Sequence, residues 1–160
     1  MASRGADLES AVNRCNLYYR KNKIALIEKK PTPVELTKVG AILKQSTVDY
    51  VGIIPPLGTG IAFDAKMTQS KTSFPLSNVH DHQVIFLEYW EAMGGIATFL
   101  IWFYNVDPDE AFWTPAGFLK SWYDKAYIEE TGRKSIPYKE FDQNWKVPIN
   151  DYLSKIIKTN

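Results

Sequence analysis

The order of apolar and polar residues along this chain predicts a small set of helices and strands. From Leu8 to Tyr19 the apolar residues recur three, four and seven positions apart, which is the spacing of one helix face, and Asp7 fits as the N-cap. A strand is predicted over 23–30. The nearly uninterrupted apolar run 96–103 is typical of a strand buried on both faces.

Residues 47–66 predict a β-hairpin. An alternating strand leads into a turn rich in Pro and Gly at 55–60, and a second strand follows. Because successive side chains of a strand point to opposite faces, Asp64 and Lys66 share one face of the second strand. Because the two strands of a hairpin are antiparallel neighbours, Asp49 at the start of the first strand can lie beside that face.

Capping and glycine signals predict two more helices. One runs to Met93 with Ser77 or Asn78 as its cap, and the other covers 115–130 after a short strand at 110–114. The order helix, strand, strand, strand, helix, strand predicts an α/β domain with a central mixed β-sheet flanked by helices.

Four segments carry weaker signals. Residues 34–46 are interpreted as a short excursion between strands, 68–77 as a polar loop and 132–137 as a basic loop. Residues 151–157 form a short element whose type the pattern leaves open. The chain has no internal repeat and no low-complexity tract.

The composition is that of one globular domain. A chain of 160 residues with 45% hydrophobic and 14% aromatic residues can bury one core, so we expect a single domain over 1–160. The single Cys15 excludes an internal disulfide. No signal peptide opens the chain and the longest apolar run is too short to span a bilayer, so we expect a cytoplasmic protein without a membrane partner.

Charge is distributed unevenly along the chain. Residues 1–46 hold nine Lys and Arg against four Asp and Glu, whereas 47–160 hold ten against fourteen. A nucleic-acid surface built mainly from the basic N-terminal part fits this distribution, because phosphate contacts supply most of the non-specific affinity for DNA. Ordinary solvated helix surfaces explain the same charges equally well.

The predicted hairpin carries the main candidate for chemistry. Asp49, Asp64 and Lys66 place two carboxylates and an ammonium at one end of a small sheet. Carboxylates bind Mg²⁺, a hard cation that prefers oxygen ligands, and a lysine can orient a water molecule or neutralise charge on a phosphate. This triplet follows the pattern of the PD-(D/E)xK nucleases and suits phosphodiester hydrolysis. A solvated strand face with an ion pair is the simpler alternative.

Seven short motifs occur in order between about Asp7 and Pro137. They are KKPTP at 29–33, STVDY at 46–50, FDAK at 63–66, KTSFPL at 71–76, HDHQ at 80–83, GGI at 94–96 and GRKSIP at 132–137. Together they resemble the RecU family of Holliday-junction resolvases. The resemblance implies a restriction-endonuclease-like core and an Mg²⁺-dependent endonuclease, in which Mn²⁺ can substitute. It also implies a homodimer that acts on branched DNA such as four-way junctions, with recombination proteins of the host as partners.

The resemblance also assigns roles to residues. It implies that Asp49, Asp64 and Lys66 are catalytic, and that Glu9 on the first helix completes an acidic metal site with the two aspartates. The family usually has glutamate at the position of Asp64, and the missing methylene moves the carboxylate back by about 1.5 Å. A Mg²⁺ site that keeps several waters can absorb this difference.

Further residues are candidates for contacts with the DNA backbone. Basic and hydroxyl side chains suit phosphate oxygens, and the free N–H groups at a helix N-terminus favour an anion. The candidates are Arg4, Lys30, Thr47, Lys71, Thr72, Ser73, His80, Gln83, Arg133 and Lys134. His80 and His82, two positions apart on a predicted helix, are expected to point in different directions and not to form a metal pair.

One departure from the family concerns the stalk that projects into the open junction. In the family a long insertion precedes the hairpin, whereas only 34–46 occupies that interval here. We therefore expect a short, reduced stalk, whose exposed apolar residues or the aromatic-rich helices complete the dimer interface. The apolar candidates in the stalk are Leu36, Val39, Ile42 and Leu43.

A reduced stalk leaves nuclease chemistry intact but puts junction selectivity in doubt. The first alternative is a nuclease of the same fold that acts on flaps, D-loops or duplex DNA. The second is a branched-DNA-binding protein without catalytic activity. The complete acidic set with Lys66 speaks against the second, because a protein that only binds gains nothing from carboxylates aimed at phosphate.

Overall fold

A computed structural model describes residues 4–44 and 47–157, without the side chains of 4–6. The α-helices in this part of the chain are α1 (Arg4–Lys21), α2 (Asp81–Ala92) and α3 (Ala116–Tyr127). The strands are β1 (Leu26–Lys29), β2 (Val34–Thr37), β3 (Gly40–Leu43), β4 (Tyr50–Ile54), β5 (Thr59–Thr68), β6 (Ser73–Pro75), β7 (Ile96–Phe103), β8 (Glu110–Pro115), β9 (Ser135–Pro137) and β10 (Lys146–Pro148).

The central sheet has six strands in the order β1, β4, β5, β7, β8, β10. Strands β5 and β7 are parallel, and the other neighbours are antiparallel. Helix α2 lies in the connection between the two parallel strands, which need such a crossover. The predicted α/β class with a central mixed sheet is confirmed, and the arrangement is consistent with a restriction-endonuclease-like core.

Each face of the sheet has its own apolar core. On one face α1 buries Leu8, Val12 and Tyr19, none of them more than 2% exposed. On the other face α2 and α3 bury Leu87 and Leu119. Each such side chain stabilises the fold by roughly 1.5–3 kcal/mol. No helix among the described residues has both the length and the apolar character needed to cross a membrane.

The last described residues pack against helix α1. The Tyr19 hydroxyl donates a hydrogen bond to Asp151 at 2.7 Å, and the Tyr152 hydroxyl donates one to Asn16. Residues 152–157 form turns instead of a helix or strand. The element left open at 151–157 is therefore a C-terminal turn whose position is fixed by contacts with a helix more than a hundred residues earlier.

Helix α2 begins later than predicted. Residues 76–78 form a 3₁₀ turn, and the extended backbone of His80 makes this residue the N-cap. The rings of His80 and His82 stack with their centroids 5.5 Å apart. The expectation that the two histidines point in different directions is wrong, because only His82 has helical geometry.

Two segments predicted as loops pair with each other. Strand β6 lies in the polar loop and β9 in the basic loop, and they form an antiparallel two-stranded sheet. Phe74 and Ile136 are opposite each other in it and are fully buried. Strands of three residues are too short to show a periodic pattern, and this pair forms because its apolar centre docks into the second core.

The segment at 34–46 forms a hairpin beside the main sheet. Strands β2 and β3 pair only with each other among the described strands, and residues 45–46 lie outside the described part. The hairpin presents apolar side chains to solvent, with Leu36 85% and Val39 95% exposed. An ion pair of 2.8 Å between Lys44 and Glu35 connects its two strands.

Candidate active site

Strands β4 and β5 bring the predicted catalytic aspartates together. Tyr50 of β4 pairs with Phe63 of β5, so Asp49, directly before β4, lies beside Asp64. The backbone N–H of Ala65 donates a hydrogen bond to Asp49 Oδ2 at 3.1 Å. The two carboxyl groups are close enough for the negative charge of Asp49 to raise the pKa of Asp64.

Asp64 lies at the centre of the site and is only 1% exposed. Lys66 Nζ lies 3.0 Å from Asp64 Oδ1, and Gln83 Nε2 donates a hydrogen bond to Oδ2 at 2.9 Å. The lysine forms an ion pair outside hydrogen-bond geometry, so Oδ1 accepts no hydrogen bond from the described residues. A buried carboxylate oxygen with an unused lone pair offers a coordination position to a cation.

The electrostatics of Asp64 also favour a cation. Burial is the main cause that raises the pKa of Asp64 to about 7; the negative charge of Asp49 acts in the same direction, and the Lys66 ammonium opposes both. A divalent cation between the two carboxylates would offset their repulsion and stabilise the ionised form of Asp64. Metal and proton therefore compete for this group.

Gln83 connects helix α2 to the site. Its Oε1 accepts a hydrogen bond of 3.1 Å from the backbone N–H of His80, which leaves its NH₂ group to donate to Asp64. Gln83 is 7% exposed, so its predicted role as a DNA contact does not agree with its position. The spacing of three residues from the N-cap could have indicated the contact with His80. The contact with Asp64 joins separate elements and has no local signal.

Glu9 lies on helix α1 beside Asp49. With Asp49 and Ala65 it lines a small cavity of about 70 Å³ below helix α1. Its carboxylate is exposed and forms an ion pair with Lys29. No group of three or more acidic, His or Cys side chains is arranged as a metal cluster in residues 4–44 and 47–157, and the role of Glu9 as a third metal ligand stays a prediction.

Comparison with known proteins identifies the family. The profile of the family described as Recombination protein U matches residues 3–158. The chain belongs to the RecU family. A protein named Holliday junction resolvase RecU from Geobacillus kaustophilus is 37% identical over 97% of this chain and 84% of the relative. Proteins of the same name from Bacillus subtilis (38% identical, 97% of this chain, 80% of the relative) and Lactococcus lactis (37%, 92% and 71%) are similar.

Membership of the RecU family, whose resolvases are nucleases, implies dependence on a divalent metal ion. The donors present here fit such an ion. Asp49 and Asp64 supply adjacent carboxylates, and Asp64 Oδ1 is buried without a hydrogen bond from the described residues. Lys66 is 16% exposed and lies at the same site, where its ammonium can meet an incoming phosphate.

One group of predicted DNA contacts in this RecU protein lies near the active site. Lys30 Nζ donates a hydrogen bond to Thr47 Oγ1 at 2.6 Å and lies 5.1 Å from the centroid of the Phe86 ring. His80 is exposed at the N-terminus of α2. Arg4 begins α1, but its side chain lies outside the described part of the chain.

The other predicted contacts lie around the small β6 and β9 sheet. Lys71 and Thr72 come before β6 and are exposed, and Ser73 begins the strand. Arg133 and Lys134 come before β9 and are also exposed. Because the strands are antiparallel, the two basic segments lie at opposite ends of this sheet.

Proposed function

We propose that this chain is a Mg²⁺-dependent endonuclease that resolves Holliday junctions and related branched DNA in recombination and repair. The observation that carries this proposal is the buried Asp64, placed between Asp49 and Lys66 in a member of the RecU family. Family membership confirms the predicted enzyme class, an endonuclease of the resolvase type.

The residues of the site have separate roles in this proposal. Asp49 and Asp64 hold the metal through carboxylate oxygens, and Gln83 fixes the orientation of Asp64. The bound ion supplies positive charge that activates water and stabilises the phosphate in the transition state. Lys66 positions the attacking water or neutralises charge on the phosphate. An all-oxygen donor set favours Mg²⁺, and Mn²⁺ accepts the same ligands.

The test uses labelled four-way junction, flap and duplex DNA with Mg²⁺ or EDTA. We expect junction cleavage that requires Mg²⁺. Asp64→Asn is expected to abolish cleavage and to leave junction binding unchanged or tighter, because the variant loses the metal ligand and also a charge that repels phosphate. More than a few per cent of wild-type cleavage in this variant would reject Asp64 as a ligand.

A second candidate keeps the chemistry and changes the substrate to flaps, D-loops or duplex DNA. The observation that favours it is the small hairpin of β2 and β3. The Geobacillus kaustophilus relative aligns over 173 positions, whereas 97% of 160 residues is about 155, so about 18 of its positions have no counterpart here. Cleavage of flaps in preference to junctions in the same assay would select this candidate.

We further propose that the protein is a homodimer and that the hairpin contributes to its interface. An isolated two-stranded hairpin is at best marginally stable in water, and the side chains of Leu36, Val39 and Leu43 are 73% or more exposed. A two-fold enzyme also matches a substrate with two opposed strands to cut. Light scattering should give twice the monomer mass of 18.3 kDa at micromolar concentration, and a monomer mass would contradict the proposal.

A further inference from the structure

An aromatic pocket of about 470 Å³ lies between the C-terminal half of α2 and the first residues of β5. Its side chains from α2 are Phe86, Tyr89, Trp90 and Met93, and the rest of its wall is Thr59 and glycine backbone. Tyr89 is 67% and Met93 83% exposed, so the pocket opens to solvent. The chemistry at Asp64 and Lys66 makes no use of these side chains.

Two glycines determine where the Trp90 ring lies in this pocket. A Cβ atom at Gly95 would be 2.3 Å from Trp90 Nε1, and one at Gly60 would be 3.2 Å from the same ring. Gly95 belongs to the GGI motif at 94–96. The Phe86 and Trp90 rings are also in contact, with their centroids 5.7 Å apart. A larger residue at Gly95 would therefore displace the indole and change the pocket.

The pocket lies on the same face of the sheet as the active site. Every second residue of a strand faces the same side, so Gly60 shares a face of β5 with Asp64, about 13 Å further along. Gln83, which bonds to Asp64, is about 10 Å from Trp90 along the axis of α2. This distance corresponds to about three steps of 3.4 Å along a DNA strand. A strand whose phosphate is at Asp64 can therefore reach the pocket.

Two glutamates in the C-terminal half of α2 face away from the pocket. Glu88 Oε1 lies 3.7 Å from Lys120 Nζ on α3. Glu91 is also directed towards α3, where its Oε2 lies 3.8 Å from the position of a Cβ atom at Gly117. The described residues that line the pocket are all uncharged. A polyanion can therefore approach the pocket without repulsion from its walls.

A cation lies beside the pocket on the side of the active site. Lys30 Nζ is 5.1 Å from the centroid of the Phe86 ring, which is itself part of the pocket wall. This ammonium donates a hydrogen bond to the Thr47 hydroxyl, a neutral partner that leaves its charge available. The arrangement of a flat aromatic wall with an adjacent cation complements a base and its phosphate. An aliphatic ligand would contact the apolar wall but would make no use of Lys30.

We propose that this pocket binds an unpaired nucleobase of the DNA substrate, about three nucleotides from the phosphate that is cut. The base stacks on Tyr89 and Trp90, and Lys30 contacts a phosphate of the same strand. Bases next to a branch point are available for such stacking when they are not paired. This inference rests on the proposed action on branched DNA and adds a binding site for one base to it.

The test compares two labelled strands of equal length by fluorescence anisotropy, titrated with the full chain in EDTA. One strand contains about twelve thymidines, and the other has abasic sugars on the same phosphates. We expect the wild type to bind the thymidine strand at least tenfold more tightly. Tyr89→Ser should reduce this ratio at least threefold, whereas Tyr89→Phe, which keeps the ring, should retain it. Met93→Glu should weaken binding of the thymidine strand at least fivefold.

Matched controls change exposed side chains of α1 in the same way. Tyr18 is 58% and Leu17 68% exposed, so Tyr18→Ser and Leu17→Glu should leave the ratio unchanged. Circular dichroism checks that each variant is folded, and the exposure of Tyr89 makes loss of folding in its variants unexpected. Because no cleavage is measured, a protein that failed to cut junctions would still give a result for the pocket.

Three outcomes would overturn the proposal. The first is equal binding of the thymidine and abasic strands by the wild type, which would refute the pocket without affecting the nuclease assignment. The second is an unchanged ratio in Tyr89→Ser. The third is conversion of a dimer to a monomer by Met93→Glu in light scattering, which would assign the pocket to contacts with a second copy of the chain.

Discussion

Individual residues at the active site are held by partners from different elements. Asp64 on β5 contacts Lys66 on its own strand and Gln83 on α2. The spacing of two between Asp64 and Lys66 places them on one face of any strand, whereas the contact of Gln83 requires the crossover of α2 onto the sheet.

The raised pKa of Asp64 makes the stability of the metal-free protein depend on pH. The folded-state pKa of about 7 lies above the ordinary value of 3.8, so this group stabilises the fold at low pH and the contribution is lost as the pH rises towards 7. We expect Asp64→Asn, which stays neutral, to unfold at a higher temperature than the wild type at pH 8 in EDTA. This advantage should shrink towards pH 4. Calorimetry that found the same difference at both pH values would contradict the assignment.

Gln83→Met should slow cleavage without unfolding the protein. Methionine keeps the length of the side chain but removes the hydrogen bond to Asp64, and hydrogen bonds to charged groups contribute about 1.5–3 kcal/mol. We expect a rate roughly 10- to 100-fold lower in single-turnover assays, and a higher Mg²⁺ concentration for half-maximal rate. Ser77→Ala, an exposed position in the preceding turn, is the control. An unchanged rate in Gln83→Met would show that Asp64 needs no such partner.

The pairing of β6 with β9 brings together residues that are distant in the sequence. Ser73 is opposite Pro137 and Pro75 is opposite Ser135, so loops about sixty residues apart form one surface. Lys71, Arg133 and Lys134 lie on either side of the buried pair Phe74 and Ile136 and remain exposed. We expect these cationic side chains to contribute to the affinity for DNA.

Arg133→Glu with Lys134→Glu should weaken binding to junction and duplex DNA to a similar extent. Phosphate contacts carry no sequence or shape information, and each contact contributes about 0.9 to the slope of log affinity against log salt concentration. We expect this slope to fall by about 1 to 2 in fluorescence titrations. Lys155→Glu, exposed in the C-terminal turn, should leave the slope unchanged. A selective loss of junction binding would instead assign these residues to shape recognition.

For the whole molecule, we expect the separation between the central sheet and the hairpin of β2 and β3 to affect how the protein binds branched DNA. Asp49 and Asp64 lie at the central sheet, whereas the hairpin of β2 and β3 forms a separate two-stranded sheet. Each of its strands has four residues, which corresponds to about 14 Å. We expect a projection of this length to touch the crossover of a junction without filling it.

We therefore expect weaker discrimination between four-way junctions and other branched DNA than in long-stalked family members. Affinity should depend more on phosphate contacts and decrease steeply with salt. Titrations with junction, three-way and duplex DNA at two salt concentrations measure this. A junction preference above about a thousandfold at physiological salt, comparable to strong specific recognition, would show that hairpin length does not limit selectivity.

Local patterns were sufficient for the features that depend on neighbouring residues. The helical repeat from Leu8 to Tyr19, the hairpin around 55–60 and the buried strand 96–103 all occur in the structure near their predicted bounds. The shared face of Asp64 and Lys66 follows from the two-residue period of a strand. The sequence by itself therefore determined the mixed sheet and the central part of the candidate site.

Only the tertiary structure decided the contacts between distant segments. It placed Gln83 against Asp64, paired Glu9 with Lys29, joined β6 to β9 and put β1 at one end of the central sheet. None of these contacts has a periodic signal, because each depends on which faces two elements bury against a common core. The repeat of apolar and polar residues along a helix or strand predicts which way each side chain points within that element. Which elements contact one another is determined by how they pack in the two cores.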